Sequence, residues 1–184
     1  MEGGALLATG SSGTCIFRPN IPCKGESGKV TKDKISKIVY GKKAERHFNK
    51  EKDISKIIKK IKGYHKWCLI YDKFCKPPTY DNIFKIDKGI IDCTDKYYSD
   101  IFDSSSRMLV GKYGGDTLED YFINHTLINR HLIPIERNIY ILFTKMKQLF
   151  VGLKEMYHNK LIHLDIKMNN IVIDGENFKF IDFG

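Results

Sequence analysis

The chain has no long apolar run. Hydrophobic residues make up 42% of its 184 residues, but the uninterrupted apolar stretches are only a few residues long. That excludes a bilayer-spanning helix, which needs about 20. The first residues, Met1 to Thr9, carry a short apolar patch at Gly3–Ala8 but no basic leading segment, so a secretory signal is not expected. The protein is therefore expected to stay inside a cell. None of the five cysteines (Cys15, Cys23, Cys68, Cys75, Cys93) forms a CxxC pair, and no histidine stands at metal-finger spacing. Reduced thiols are expected, rather than a disulfide framework or a structural zinc site. Internal repeats and low-complexity tracts are also missing. With 29% charged residues, the composition is that of a globular domain long enough to bury a substantial core.

The net charge of +9 is unevenly placed. Lys29 to Lys66 holds 14 Lys/Arg and 4 Asp/Glu, a local excess of +10, and the remainder is about neutral. Such a block can meet nucleic acid, an anionic membrane or acidic substrates. It lacks the interleaved aromatics that stack on bases, so it reads as a lysine-rich solvated face, and nucleic acid is not an expected partner.

Hydropathy patterning outlines the elements. Residues 5–40 read as short strands broken by Gly, Ser and Pro. Gly10-Ser11-Ser12-Gly13 is a turn and Thr14–Phe17 a strand. Pro19 and Pro22 mark a loop that stays polar and mobile to Lys32. Lys34–Tyr40 alternates as a half-buried strand does. From Lys43 to Lys62 the period becomes helical, with Ile54, Ile57, Ile58 and Ile61 on one face. Trp67–Tyr71 and Arg107–Tyr113 read as strands, the second stopped by Gly114-Gly115. Residues 72–105 read as a long connection or insertion. The strongest helix runs from Arg137 to Tyr157. Its apolar stripe comprises Ile139, Leu142, Phe143, Met146, Leu149, Phe150, Leu153 and Met156, and a stripe of that kind requires a partner. Two short strands follow, Ile171–Ile173 and Phe178–Ile181, joined by Asp174-Gly175-Glu176-Asn177.

The most informative stretch is His163-Leu164-Asp165-Ile166-Lys167-Met168-Asn169-Asn170, followed by Asp182-Phe183-Gly184. It resembles the protein-kinase catalytic loop and magnesium-binding motif, H-x-D-x-K-x-x-N then D-F-G. The separate pieces are common, but their joint spacing after a long helix and around paired strands is specific. The resemblance implies phosphoryl transfer from ATP, which needs a positioned hydroxyl and a neutralised triphosphate. By it, Asp165 orients the hydroxyl and accepts its proton, and Lys167 offsets charge on the transferred group. Asn170 and Asp182 hold Mg2+ through hard oxygen donors, and His163 supports the loop.

Upstream, Gly10 and Gly13 resemble the second and third glycines of the kinase glycine-rich loop. Ala8 stands at the first, and Ile16 is the strand residue, one position late. Lys37 resembles the strand lysine that contacts the phosphates, with Lys34 and Lys42 as rivals. Glu51 resembles its helix partner, with Glu45 as the alternative. Met108–Gly115 resembles the strand and hinge that frame adenine. Tyr113 then stands at the hinge, with Gly111 at the gatekeeper position unless the register shifts by one. Asp116 or Glu119 reaches the ribose.

Two departures stand out. Leu164 replaces the usual arginine before the catalytic aspartate, which makes activation by loop phosphorylation less expected. The chain also stops at Gly184, so it spans only part of such a domain. The Asp165-Ile166-Lys167 version is similar to the Ser/Thr class. Gly10 to Cys23 resembles, in style, the Ser/Thr kinases of large nucleocytoplasmic DNA viruses.

The resemblance implies a kinase-like α+β fold. An antiparallel sheet lobe with one helix (residues 1–113) is followed by the start of a helical lobe (114–184), with ATP and Mg2+ between them. The implied partner is a protein substrate with a Ser/Thr hydroxyl. A small-molecule phosphotransferase of the aminoglycoside or choline type, and a non-enzymatic binding module, are the other readings. The stripe over 139–156 is expected to leave an apolar patch that drives association.

Overall fold

The computed structural model describes residues 5–10, 13–26, 30–94, 99–128 and 135–183. The fold is α+β and divides into two compact units, residues 1–55 with 71–113, and residues 56–70 with 114–184. Ser11, Ser12, Lys29 and Gly184 lie outside the described residues, as does the side chain of Ile139.

The first unit is built on a five-stranded antiparallel sheet of order β1-β2-β3-β5-β4. The strands are β1 Ala5–Gly10, β2 Thr14–Arg18, β3 Lys34–Val39, β4 Tyr71–Cys75 and β5 Arg107–Lys112. Helix α1 (Ala44–Ile58) follows β3. Strand alternation gives the sheet two different faces. One face carries Val39 and Leu109, packed with Ala44 and Phe48 of α1. The other carries Cys15, Phe17, Ile38, Met108 and Val110. It is covered by α2 (Tyr80–Ile86), α3 (Ile90–Cys93) and α4 (Ser99–Ser105), which contribute Tyr80, Ile83, Ile90 and Phe102. Of the segment 72–105 that sequence patterning left unread, residues 72–75 belong to β4, and α2, α3 and α4 form a lid on the second face of the sheet. The lid's periodicity is hidden because each helix is under three turns and buries only one or two residues.

Three expectations need correction. The buried face of α1 is Ala44, Phe48, Glu51, Ser55 and Ile58, while Ile57 is 41% exposed. Ile58 and Ile61 are buried as the periodicity predicts and Ile54 is half-buried; Ile57 alone departs, because the inward face runs through Glu51 and Ser55. The connection after β2 is anchored along part of its length. The Ile21 N–H donates to Ser36 Oγ (2.9 Å), and the Ser36 hydroxyl is also bonded to the Ile21 carbonyl. Ile21 and Cys23 are buried there. Finally, four cysteines are paired rather than reduced. Cys15 joins Cys93, and Cys23 joins Cys75, across 78 and 52 residues of sequence; Cys68 is free and buried. Local spacing carries no trace of such pairs, because the sheet and its lid bring them together.

The second unit holds α5 (Leu118–Ile128), α6 (Ile135–His158) and the two-stranded ribbon of β6 (Ile171–Asp174) and β7 (Asn177–Phe180). Thr117 and Asp120 form a reciprocal cap at the start of α5. The Asp120 N–H donates to Thr117 Oγ1 (3.1 Å), and the Thr117 N–H donates to Asp120 Oδ2 (3.3 Å). The apolar stripe of α6 splits into two rows. Leu149, Gly152 and Met156 are buried, with Trp67 seated against Gly152. Phe143, Phe150 and Leu153 stay exposed at 64%, 58% and 39%. Among the described residues, no helix is long and apolar enough to cross a membrane.

A Cβ on residue 152 would lie 2.8 Å from the Trp67 ring. Gly152→Ala should therefore destabilise the protein by about 1–3 kcal/mol through overpacking, although alanine is the better helix former. Urea unfolding of the two proteins measures this, and an unchanged or raised midpoint would refute the contact.

Candidate functional site

The loop between α6 and β6 is tied to the end of β7 at both polar groups of one residue. Ile181 donates its N–H to the Asn170 carbonyl (3.0 Å), and its own carbonyl meets His163 Nε2 (2.9 Å). The Asp165 N–H points at His163 Nδ1 (3.3 Å). Nδ1 is thus the acceptor, and Nε2 carries the proton given to Ile181. The imidazole is buried between Phe180 and Phe183, with ring centroids at 5.5 and 4.7 Å. Burial pushes its pKa below the usual histidine value, against the opposing pull of the Ile181 carbonyl and the Asp165 and Asp182 charges.

Asp165, Lys167 and Asn170 come together on this loop. Lys167 Nζ lies 2.8 Å from Asp165 Oδ2, and Asn170 Nδ2 donates to the same oxygen (2.8 Å) and to the Asp165 carbonyl (2.9 Å). The hydrogen bond from Lys167 holds the Asp165 carboxyl below its ordinary pKa, and the pairing raises that of Lys167 in turn. Asp165 is therefore an ionised acceptor. Both donors converge on Oδ2, and among the described residues nothing else bonds Oδ1, so that oxygen remains able to take a hydroxyl proton. The Asp165 and Lys167 side chains are about half exposed (52% and 54%), whereas Asn170 is buried.

Asp182 follows directly. It has φ +62°, in the left-handed region that aspartate tolerates better than most residues. The kink sits between the doubly bonded Ile181 and the buried Phe183, so both flanks fix its position. Its charge acts on both His163 and Lys167. One carboxylate (Asp182) and one amide oxygen (Asn170, whose Nδ2 is already committed to Asp165) are the hard oxygen donors that Mg2+ prefers. Among the described residues no group of three or more His, Cys, Asp or Glu gathers as a self-sufficient metal site.

Sequence patterning missed the support under this loop. Residues 67–69 do not belong to β4, which begins at Tyr71. They pair instead with β7: Leu69 N–H donates to the Phe180 carbonyl (3.0 Å), and Phe180 N–H to the Trp67 carbonyl (2.9 Å). The only clue in the sequence was an apolar run around the single tryptophan.

The remaining site residues lie in the first unit, except Asp116. Gly10 ends β1, and Gly13 immediately precedes β2 with φ +71°. A Cβ at Gly13 would stand 2.8 Å from the Tyr40 carbonyl, so the position requires glycine. Ile16 and Leu109 flank Lys37 in neighbouring strands, on the same sheet face. Lys37 is buried in β3, its Nζ 5.9 Å from the Tyr71 ring, and Glu51 is buried on the inward face of α1. The rival residues are engaged elsewhere or exposed. Lys34 meets Asp72 at 3.7 Å, Glu45 pairs with Arg107, and Lys42 is exposed. Tyr113 follows β5 and carries the Arg18 guanidinium 3.6 Å above its ring. In the second unit Asp116 has an exposed side chain, and its carbonyl accepts from Ile173 N–H (3.0 Å).

No protein-family model matches the chain. A segment of 71 residues, 38% of the chain, is 39% identical to the membrane-associated tyrosine- and threonine-specific cdc2-inhibitory kinase of Drosophila melanogaster, and it spans 12% of that protein. Over that segment the chain is similar to a protein kinase.

The His163 geometry yields a pH prediction. Its folded pKa lies below the ordinary value of 6.5, so between the two the unfolded chain binds more protons and stability rises with pH. The neutral-ring contribution is complete above the unfolded pKa and is lost as pH falls from there towards the folded one. His163→Gln should flatten this part of the profile relative to wild type. Urea unfolding at pH 7.5 and 5.5 measures the difference, and equal pH dependence in the two proteins would overturn the assignment.

Proposed function

We propose that this chain is the nucleotide-binding and catalytic-loop portion of a protein kinase, with a kinase-like fold, transferring the γ-phosphoryl group of ATP to a Ser/Thr hydroxyl of a protein. The observation that carries this reading is the convergence of Lys167 and Asn170 on one oxygen of Asp165, beside Asp182. Phosphoryl transfer demands positioning and charge neutralisation more than a strong base. An ionised, lowered-pKa carboxylate with one open oxygen suits the first demand: Asp165 Oδ1 receives the substrate hydroxyl hydrogen bond and then its proton. Lys167, held as a cation by Asp165, offsets charge on the transferring group. Its pairing with Asp165 also keeps both side chains at one place on the loop. Asn170 and Asp182 hold Mg2+, which when bound neutralises the triphosphate. The Asp182 carboxylate is presented by a backbone kink, so its direction does not depend on a flexible side chain alone.

In the first unit, Lys37 contacts the α- and β-phosphates, and Glu51 pairs with Lys37 to hold it there. Gly10 and Gly13 let backbone N–H groups approach phosphate closely. Ile16 packs against the base, the backbone at Tyr113 pairs with adenine, and Asp116 bonds ribose. The similarity to a protein kinase over 71 residues supports phosphoryl transfer in general terms, and Lys167 supports the Ser/Thr choice.

Two substitutions test this. Asp165→Asn should lower transfer of labelled γ-phosphate to casein by about 10²–10⁴-fold while leaving the magnesium-dependent thermal shift by ATP in place. Asp182→Asn should abolish that shift with little change in the melting temperature of the unliganded protein. A wild-type protein that is folded yet gains no magnesium-dependent stability from ATP would refute the reading.

A further inference from the structure

Gly13, Tyr40, Cys93 and Cys15 form a closed circuit in the first unit. The Tyr40 N–H donates to the Gly13 carbonyl (2.9 Å). The Tyr40 carbonyl occupies the space that a side chain at Gly13 would need, and the Tyr40 ring lies at van der Waals distance from the same place. At its far end the Tyr40 hydroxyl donates to the Cys93 carbonyl. The Cys93 sulfur is bonded to Cys15, two residues beyond Gly13. The strand that leaves the turn is thus fastened to α3 twice, once covalently and once through Tyr40. The two sulfurs differ in access: Cys15 is completely buried, whereas Cys93 is partly exposed. The second disulfide, Cys23–Cys75, lies elsewhere, beside the backbone bond from Lys24 N–H to the Lys76 carbonyl (2.9 Å).

We infer that Cys15–Cys93 is a thiol–disulfide modification site that sets the stiffness of β2 where it leaves the Gly13 turn. Its effect on nucleotide affinity rests on the phosphotransferase reading. A small disulfide such as glutathione disulfide supplies the oxidising equivalents. The accessible Cys93 thiolate attacks it, forming a mixed disulfide and releasing one glutathione thiolate. The Cys15 thiolate then attacks Cys93 Sγ and releases the second. Two thiol protons and two electrons leave the protein, and the donor becomes two thiols. A dithiol reverses the sequence, entering at Cys93 because Cys15 is shielded. Oxidation closes a loop between residues 78 apart in sequence, which restricts the open states of the strand. Reduction leaves α3 attached to the turn through the Tyr40 hydrogen bonds.

The test uses the whole chain, equilibrated either with glutathione disulfide or with dithiothreitol. Alkylation followed by peptide mapping should recover a Cys15–Cys93 linked pair only in the oxidised sample. Hydrogen exchange at Thr14–Phe17 should then be slower in the oxidised form by at least about fivefold. Oxidised Cys93→Ser should exchange like reduced wild type, and Cys23→Ser should keep the redox response. Because wild type is compared in two states, the result does not depend on either variant folding. Full alkylation of Cys15 and Cys93 after oxidation, or equal exchange in both states, overturns the switch. Magnesium–ATP affinity measured on the same samples should be higher in the oxidised form, and equal affinity in both states overturns the link to nucleotide. If exchange responds but nucleotide binds in neither state, the switch stands and the phosphotransferase reading falls.

Discussion

The bond between His163 and the Ile181 carbonyl is the constraint on which the rest of the site depends. Without it the loop after α6 and the strand end at β7 are two separate peptides. With it, and with the Ile181 N–H held by Asn170, one residue's backbone locks both. The charged groups then have little freedom. Asp165 is fixed through His163 Nδ1 and Asn170, and Asp182 through the kink between Ile181 and the buried Phe183. A neutral imidazole is required, because its two nitrogens play opposite parts, one accepting and one donating. Burial beside two phenylalanines supplies that neutrality by penalising the charged form.

The same economy appears beneath the loop. Trp67, almost fully buried, packs on Gly152 of α6, and its backbone pairs with Phe180. A single segment thus fixes the helix and the ribbon that flank Asp165, Lys167 and Asn170. Lys179, also largely buried, closes the ribbon by pairing with Asp174 at 2.6 Å. The free Cys68 within this packing has its pKa pushed up to about 12 by burial, so it is an inert thiol, unlike the paired cysteines of the first unit.

In the first unit the sheet does two jobs with its two faces. One presents Lys37 and Ile16 alongside α1. The other is closed by a helical lid that ordinary patterning does not reveal. The lid carries Cys93, which reaches back to the strand beyond the Gly13 turn. The covered face of the sheet is therefore coupled to the residues around Gly13.

The sequence alone singled out Asp165, Lys167, Asn170 and Asp182, which lie within 18 positions of one another, as candidates. It also determined most strands and the two long helices, because period-2 and period-3.6 patterns are local properties of the chain. It placed Ile58 and Ile61 on the buried side of α1 and its C-terminal end, but put Ile57 there too and did not find Ser55, a buried polar residue that hydropathy assigns to solvent. Only the tertiary structure decided which cysteines meet, what the lid over residues 80–105 covers, which row of α6 is buried, and that Lys167 and Asn170 share one oxygen of Asp165. Those are contacts between residues far apart in sequence, or choices among side-chain directions. Packing geometry fixes them, and no periodicity along the chain encodes it.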